Sequence, residues 1–326
     1  MWTAGHRRRT GTAYLGAVTV DRELTVDPET RALAIDIGGT KFEVAVVNGD
    51  GRIFQRARVD STGATDGDEL FGRLGALVDG LDLAGLAVCG VGSGGPMRLG
   101  GVAVSPLNIP AWREFPLHAS VAEITGLPTF VDNDAKALAL AEGWKGAARG
   151  VRNYIGMVVS TGVGGGIVLD GRLLHGDEGN AGHIGHIVVE PEGTALPGHI
   201  RGVLEAEASG TAIAYRTGAP AEQADEAERV RAGTMVGRAV GSVANLLDLQ
   251  LAVVAGSVAL GFGDVFFESA QAEIDRVATL QHSQGTLIRR AELGPDGPLV
   301  GAAAVGFSGL GHDLLGGSRR EGGTDV

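Results

Sequence analysis

Five short segments of this 326-residue sequence group side chains that can do chemistry together. Asp36-Ile37-Gly38-Gly39-Thr40-Lys41 follows a compact apolar run. Two glycines after a buried strand let main-chain amides turn toward an anion with no Cβ in the way. Thr40 adds a hydroxyl, and Asp36 is placed to hold a water on Mg²⁺. The same string also suits an ordinary hairpin turn, and a glycine pair alone does not separate the two readings. Thr161 to Gly166 (TGVGGG) repeats the logic, and Ala255-Gly256-Ser257 is a third turn able to approach a nucleotide. One such loop is usually just a turn. Two hydroxyl-plus-glycine segments, one in each half, point to two lobes clamping one polyphosphate.

The remaining two segments carry ionisable groups. In Val131-Asp132-Asn133-Asp134, the last carboxylate precedes a helix. It suits a helix N-cap and equally a general base taking a proton from a substrate hydroxyl; the roles are compatible. In GNAGHIGHIVVEP (179–191), His183 and His186 stand three apart. Paired histidines invite a metal, but no cysteine lies near. Two imidazoles that donate to and accept from a polyhydroxylated ligand fit at least as well.

Alternating strands and helices must position these groups. Apolar patterning predicts strands at 32–37, 42–48 and 53–60, with a hairpin signal at Gly49-Asp50-Gly51. A helix over 68–81 and a buried strand over 83–92 follow. The second half repeats the theme: strand 128–134, helix 137–148, strand 154–160, glycine turn 161–166 and returning strand 167–174. Helices over 203–217 and 221–248, a strand and turn over 251–259, and a last helix over 299–312 complete the chain. Two strand–glycine–strand units suggest an internal duplication. The expected division is a polar, flexible extension (1–30), a first α/β domain (31–133) on which the helix near 299–313 packs back, a second (134–298), and a flexible tail (316–326).

Composition narrows the partners. The length allows about two domains of roughly 150 residues, and 44% hydrophobic with 20% charged residues excludes a largely disordered chain. Net charge is −12, which disfavours nucleic acid and anionic membrane surface. A single cysteine, Cys89, rules out an internal disulfide or a thiolate-rich zinc site and fits a reducing cytoplasm. Fifty-five glycines point to many tight loops.

DIGGTK, SPLNIPAW, VDNDAKALALAEGW, STGVGGGIVLDG, GNAGHIGHIVVEP and LEAEASGTAI occur in this order. Together, over about residues 31–312, they resemble the ROK family of sugar kinases and sugar-responsive repressors. The resemblance implies the actin-like ATPase (ribonuclease-H-like) fold, with two α/β domains around a central cleft. It makes Asp134 the catalytic base for a sugar 6-hydroxyl. It places Gly94, Gly95, Asn108, Asn133, His183, His186 and Glu205 around the sugar. It gives Asp36, Gly38, Gly39, Thr40, Lys41, Thr161, Gly162 and Gly164 to the phosphates, and Gly256 to the nucleotide. It implies ATP and Mg²⁺, a homodimer, a cytoplasmic location and a place in carbohydrate metabolism.

Two departures stand out. The family's zinc motif pairs the histidine at 186 with three cysteines, but these places hold Leu196, Gly198 and Val203, so no structural zinc is expected and other packing must hold the loop. The family's kinases usually carry glutamate where His183 stands, and a bulkier, donating ring puts glucose itself in doubt in favour of a modified sugar, an amino sugar or a C7 cyclitol. Two further readings compete with a glucokinase-like enzyme. A sugar-responsive DNA-binding regulator would need a helix-turn-helix module before the first glycine loop, and residues 1–30 are too few for it. A non-catalytic sugar binder would have no use for Asp134 and both glycine loops.

Overall fold

The computed structural model describes residues 26–64 and 66–317. Ten strands form two five-stranded sheets of identical topology. The first contains β1 (Arg31–Ile37), β2 (Lys41–Asn48), β3 (Ile53–Asp60), β4 (Val88–Ser93) and β5 (Thr129–Asn133), ordered β3-β2-β1-β4-β5. The second contains β6 (Tyr154–Val159), β7 (Val163–Leu169), β8 (Arg172–Leu173), β9 (Leu251–Ala255) and β10 (Leu287–Arg290), ordered β10-β9-β6-β7-β8. In each, the first three strands run antiparallel and the last two run parallel to the first. The suspected duplication is therefore present in the strand order.

Residue size decides which helix covers which face. Leu33, Ile35, Ile37, Phe42, Val44 and Val46 fill one side of the first sheet, under α1 (Gly67–Asp79) and α2 (Leu117–Thr125). The opposite side is built of Ala32, Ala34, Ala45, Val47 and Val88. There α9 (Gly297–Gly309) lies flush on the sheet: a Cβ at Gly90 would fall 1.9 Å from the carbonyl oxygen of Ala302. α3 (Asp134–Lys145) joins the halves. It packs on α9 through Ala137, Leu140, Ala141 and Trp144, and on the second sheet through Ala139. Buried all round, it shows no polar stripe. The far side of the second sheet is covered by α6 (Glu226–Leu247) and α8 (Asp264–Val277), whose Val236, Val240, Phe266 and Ile274 meet Ile155, Met157 and Val254.

Several expectations need correcting. The packed chain begins before Arg31, since Val26 is buried in the core and Gly49 N–H donates to Thr30 O. Residues 1–25 and 318–326, where most of the extension and tail were expected, lie outside the described residues. The turn of the second glycine segment is only Ser160 to Gly162; Gly164, Gly165 and Gly166 belong to β7. They serve close packing, because a Cβ on Gly166 would stand 2.7 Å from Lys136 Cα. The helix expected over 203–217 is two helices, α4 (Leu204–Ala208) and α5 (Gly210–Thr217), broken where Ser209 adopts extended backbone and caps α5. α6 starts at Glu226 behind Asp225, which caps it, rather than at 221. α2, α7 (Ser257–Phe262), α8 and β10 were not foreseen. Among the described residues, no helix is long and apolar enough to cross a membrane.

Candidate active site

The carboxyl ends of the parallel strands set the site, as is general for open α/β sheets. Pairing aligns Ile37 of β1 with Ser93 of β4, and Ser93 with Asn133 of β5. Asp36, the Gly94-Gly95 turn and Asp134 are thereby brought to one edge.

Side chains then knit this edge together. A Cβ on Gly39 would lie 2.6 Å from Asn108 Nδ2, so only glycine lets the loop approach that amide. Asn108 Oδ1 in turn faces Gly94, and Asn133 Nδ2 faces Gly95, at 3.6 and 3.5 Å from where a Cβ would stand. Ser61, which the sequence reading missed, pins the first glycine loop: its Oγ donates to Gly38 O and its amide to Thr40 O, both at 3.0 Å. Lys41 Nζ donates to the buried Glu43 carboxylate, which also accepts from Arg56 Nε at 3.1 Å.

Asp134 opens α3 but does not cap it. Asn133 is the cap, its Oδ1 accepting from Ala135 N–H at 3.0 Å. Two adjacent residues of capping type made the sequence ambiguous, and the chain uses the first. The Asp134 carboxylate, which also accepts from Ala135 N–H at 2.8 Å, stays open to solvent. Although solvent reaches it, the surrounding protein strips away hydration and raises its carboxyl above the ordinary range, against the Ala135 hydrogen bond and His183. Burial pushes Asp36 up to about 7, and the carboxylates of Asp134 and Glu43 add to the rise, against Lys41 and Arg56.

The second half supplies the opposite wall. Ser160 N–H donates to Gly162 O and closes the Thr161 turn. Val163 N–H donates to Glu205 Oε2 at 2.7 Å, and a Cβ on Gly162 would lie 2.7 Å from that oxygen. Gly164 sits in β7 with no more than 3.0 Å between a Cβ and Ala135 Cβ, next to Asp134. The rings of His183 and His186 stack with centroids 5.0 Å apart, both exposed. Burial and then His186 lower the His183 pKa against Glu205 and Asp134, which favours the neutral imidazole. Gly256, with φ +103° and a Cβ that would meet Val159 O at 2.2 Å, turns the chain beside the same loop. Ser160 Oγ and Ser257 Oγ stand 3.0 Å apart there. A groove of about 270 Å³ opens beside them, lined by Thr161, Thr211, Glu222 and Val258 among others.

Electrostatic contact thus links Asp36 to Asp134, and His183 to Asp134 and Glu205, with Gly39, Gly94, Gly95, Asn108 and Asn133 close together on the first-sheet side; Lys41 instead turns to Glu43, and Gly164 packs inside β7. Two other groupings next to the site were missed. Asp132, in β5, lies 3.5 Å from Lys136 in α3 and 3.6 Å from His175; the pair spans a strand end and a helix start, so the helical four-residue spacing did not point to it. His199 Nδ1 lies 3.5 Å from Glu205 Oε1, and nothing in the local sequence announced it. A smaller cavity of about 130 Å³, between Met97, Leu99, Asp132, His175 and Gly179, has a mainly apolar lining unsuited to a polyphosphate.

The three places of a zinc motif do not suit a metal. Leu196 and Val203 are buried in an apolar cluster with Ala206 and Ala212, and Gly198 offers no side chain. Packing occupies the position instead.

Comparisons with known proteins identify the family. The ROK family profile matches residues 32–306. An N-acetylmannosamine kinase of Citrobacter koseri is 38% identical over 247 residues, spanning 71% of this chain and 84% of its own. The crystal structure of a ROK hexokinase from Thermus thermophilus superposes with a TM-score of 0.74 at 30% identity, covering 86% of this chain and 99% of its own. A ROK family glucokinase from Streptomyces griseus, solved in complex with glucose and AMPPNP, gives 0.72 at 27% identity over 85% and 99%. The chain belongs to the ROK family and has its actin-like ATPase fold.

Proposed function

We propose that this sugar kinase transfers the terminal phosphoryl group of ATP to the primary, 6-type hydroxyl of a hexose or hexose-like acceptor, with Asp134 as the base. One observation carries the reading: a solvent-open carboxylate at the head of α3, set between the Asp36–Lys41 loop and the Asn133, His183 and Glu205 side chains. The acceptor hydroxyl gives its proton to Asp134 as its oxygen bonds to the γ-phosphorus. The bond from that phosphorus to the β,γ-bridging oxygen breaks, and ADP leaves. The transition state is loose, so alignment and charge neutralisation do most of the work. Gly38, Gly39, Thr40, Lys41, Thr161 and Gly162 would meet the phosphates, and the groove beside Thr161, Gly256 and Ser257 the nucleoside. Mg²⁺ would arrive with ATP. Asp36 suits it, since burial and then the carboxylates of Asp134 and Glu43 push its pKa upward, and a cation would offset that repulsion. The ion would screen phosphate charge.

Asn108, Asn133, His183, His186 and Glu205 would hold the acceptor. His183 favours a modified sugar, an amino sugar or a cyclitol, over glucose, because a neutral imidazole donates where a carboxylate only accepts. A coupled ADP-release screen over hexoses, aminohexoses and cyclitols tests this. A modified acceptor should give a higher kcat/KM than glucose. Release of ADP with none of these acceptors would contradict the reading, and equal use of glucose would remove the role given to His183. The chain would work as a cytoplasmic homodimer.

A further inference from the structure

We infer that Glu207 is a positioning residue for the acceptor pocket, holding the 191–203 loop without a metal so that His199 stays against Glu205. The inference rests on the proposal that Glu205 faces the acceptor.

α4 is a five-residue helix carrying both glutamates. Residues two apart on a helix point about 200° from one another, so the two carboxylates leave opposite faces. Glu205 turns to the glycine loop and accepts from Val163 N–H. Glu207 turns to the 191–203 loop and is fully buried. A buried carboxylate persists only when paired and hydrogen-bonded, and this one is. It accepts from Thr194 N–H, from Thr194 Oγ1 at 3.1 Å and from Arg231. The loop is shaped to it: a Cβ on Gly193 would fall 2.1 Å from Glu207 Oε1. Arg216 adds a second clasp, donating to Thr194 Oγ1, to Ala206 O and to Glu207 O while paired to Glu228 at 2.7 Å.

The far end of the loop is anchored by Leu196 and Val203 in their apolar cluster. His199 N–H donates to Leu196 O at 3.0 Å, which fixes the base of the imidazole. Its ring then meets Glu205 Oε1 at 3.5 Å while Val163 holds Oε2. Both Glu205 oxygens are thus oriented, one by the glycine loop and one by a loop that Glu207 secures.

Steady-state kinetics of the full chain test this, with separate KM values for acceptor and ATP. Glu207→Gln and His199→Ala should each raise acceptor KM by about tenfold while ATP KM stays within about twofold. The double variant should be no worse than Glu207→Gln, because both act through one contact. If Glu207→Gln does not fold, Thr194→Val takes its place with the same expected direction. Dialysis against a chelator, before Mg²⁺ is restored, should leave acceptor KM unchanged. An acceptor KM that rises in Glu205→Gln but not in Glu207→Gln or His199→Ala overturns the positioning role alone. No change in Glu205→Gln overturns the pocket reading, and this inference with it. A chelator effect reversed by zinc contradicts metal-free anchoring.

Discussion

At the scale of single residues, two carboxyls at one edge of the first sheet, Asp36 and Asp134, are both shifted upward, each chiefly by loss of hydration. A base must be ionised to accept a proton, so kcat/KM should be full above the raised value and fall as pH drops through it. The acid limb should therefore centre above the ordinary carboxylate range of about 4, the direction in which loss of hydration moves Asp134. A wild-type limb near pH 4 in a pH–rate profile would contradict the raised carboxyl. The candidate residues stood out in the chain because VDND before a helix and two glycine loops are local signals. The capping residue was not, since Asn133 and Asp134 suit the cap equally by type. His199 and Glu207 were invisible because their partners, Glu205 and Thr194, are brought near only by folding.

At the scale of elements, small residues decide how closely helices approach the sheets that carry the site. α9 lies on β4 only because Gly90 lacks a side chain, and β7 lies on α3 only because Gly166 does. Gly90→Ala would drive a Cβ into the Ala302 carbonyl, a backbone group that cannot step aside. It should destabilise the fold by about 1–3 kcal/mol or more through overpacking. Urea unfolding reads this directly, and an unchanged midpoint would show that α9 is not seated as described. Gly63→Ala is a useful control, because open space surrounds that position; its φ of +77° predicts a smaller, purely conformational loss. Element type was legible from periodicity in β2 and α6, and from compact apolar or alanine-leucine composition in β1 and α3. It failed where a polar break interrupts a helical pattern, at Ser209. It failed also where glycines belong to a strand interior, in β7. Glycine clusters read as turns from sequence alone, whereas here they answer to a helix backbone that the sequence does not show.

At the scale of the whole molecule, two copies of one sheet topology flank the Asp134 carboxylate, which sits at the joint where the chain passes from one to the other. The first copy brings Asp36, the glycine loop, Asn108 and Asn133; the second brings the Thr161 turn, His183, His186 and Glu205. The duplication was legible because the strand–glycine–strand pattern recurs; the shared middle layer of α3 and α9 was only half legible. Under the proposed function, the groups that would hold acceptor and nucleotide are not the group that would take the proton. The most direct measurement is therefore turnover beside binding in Asp134→Asn, by coupled ADP release and by titration calorimetry with the acceptor. Turnover should fall by about 10²-fold or more, with acceptor affinity within about threefold of wild type. Retained turnover in the amide variant would contradict the assignment of Asp134 as the base.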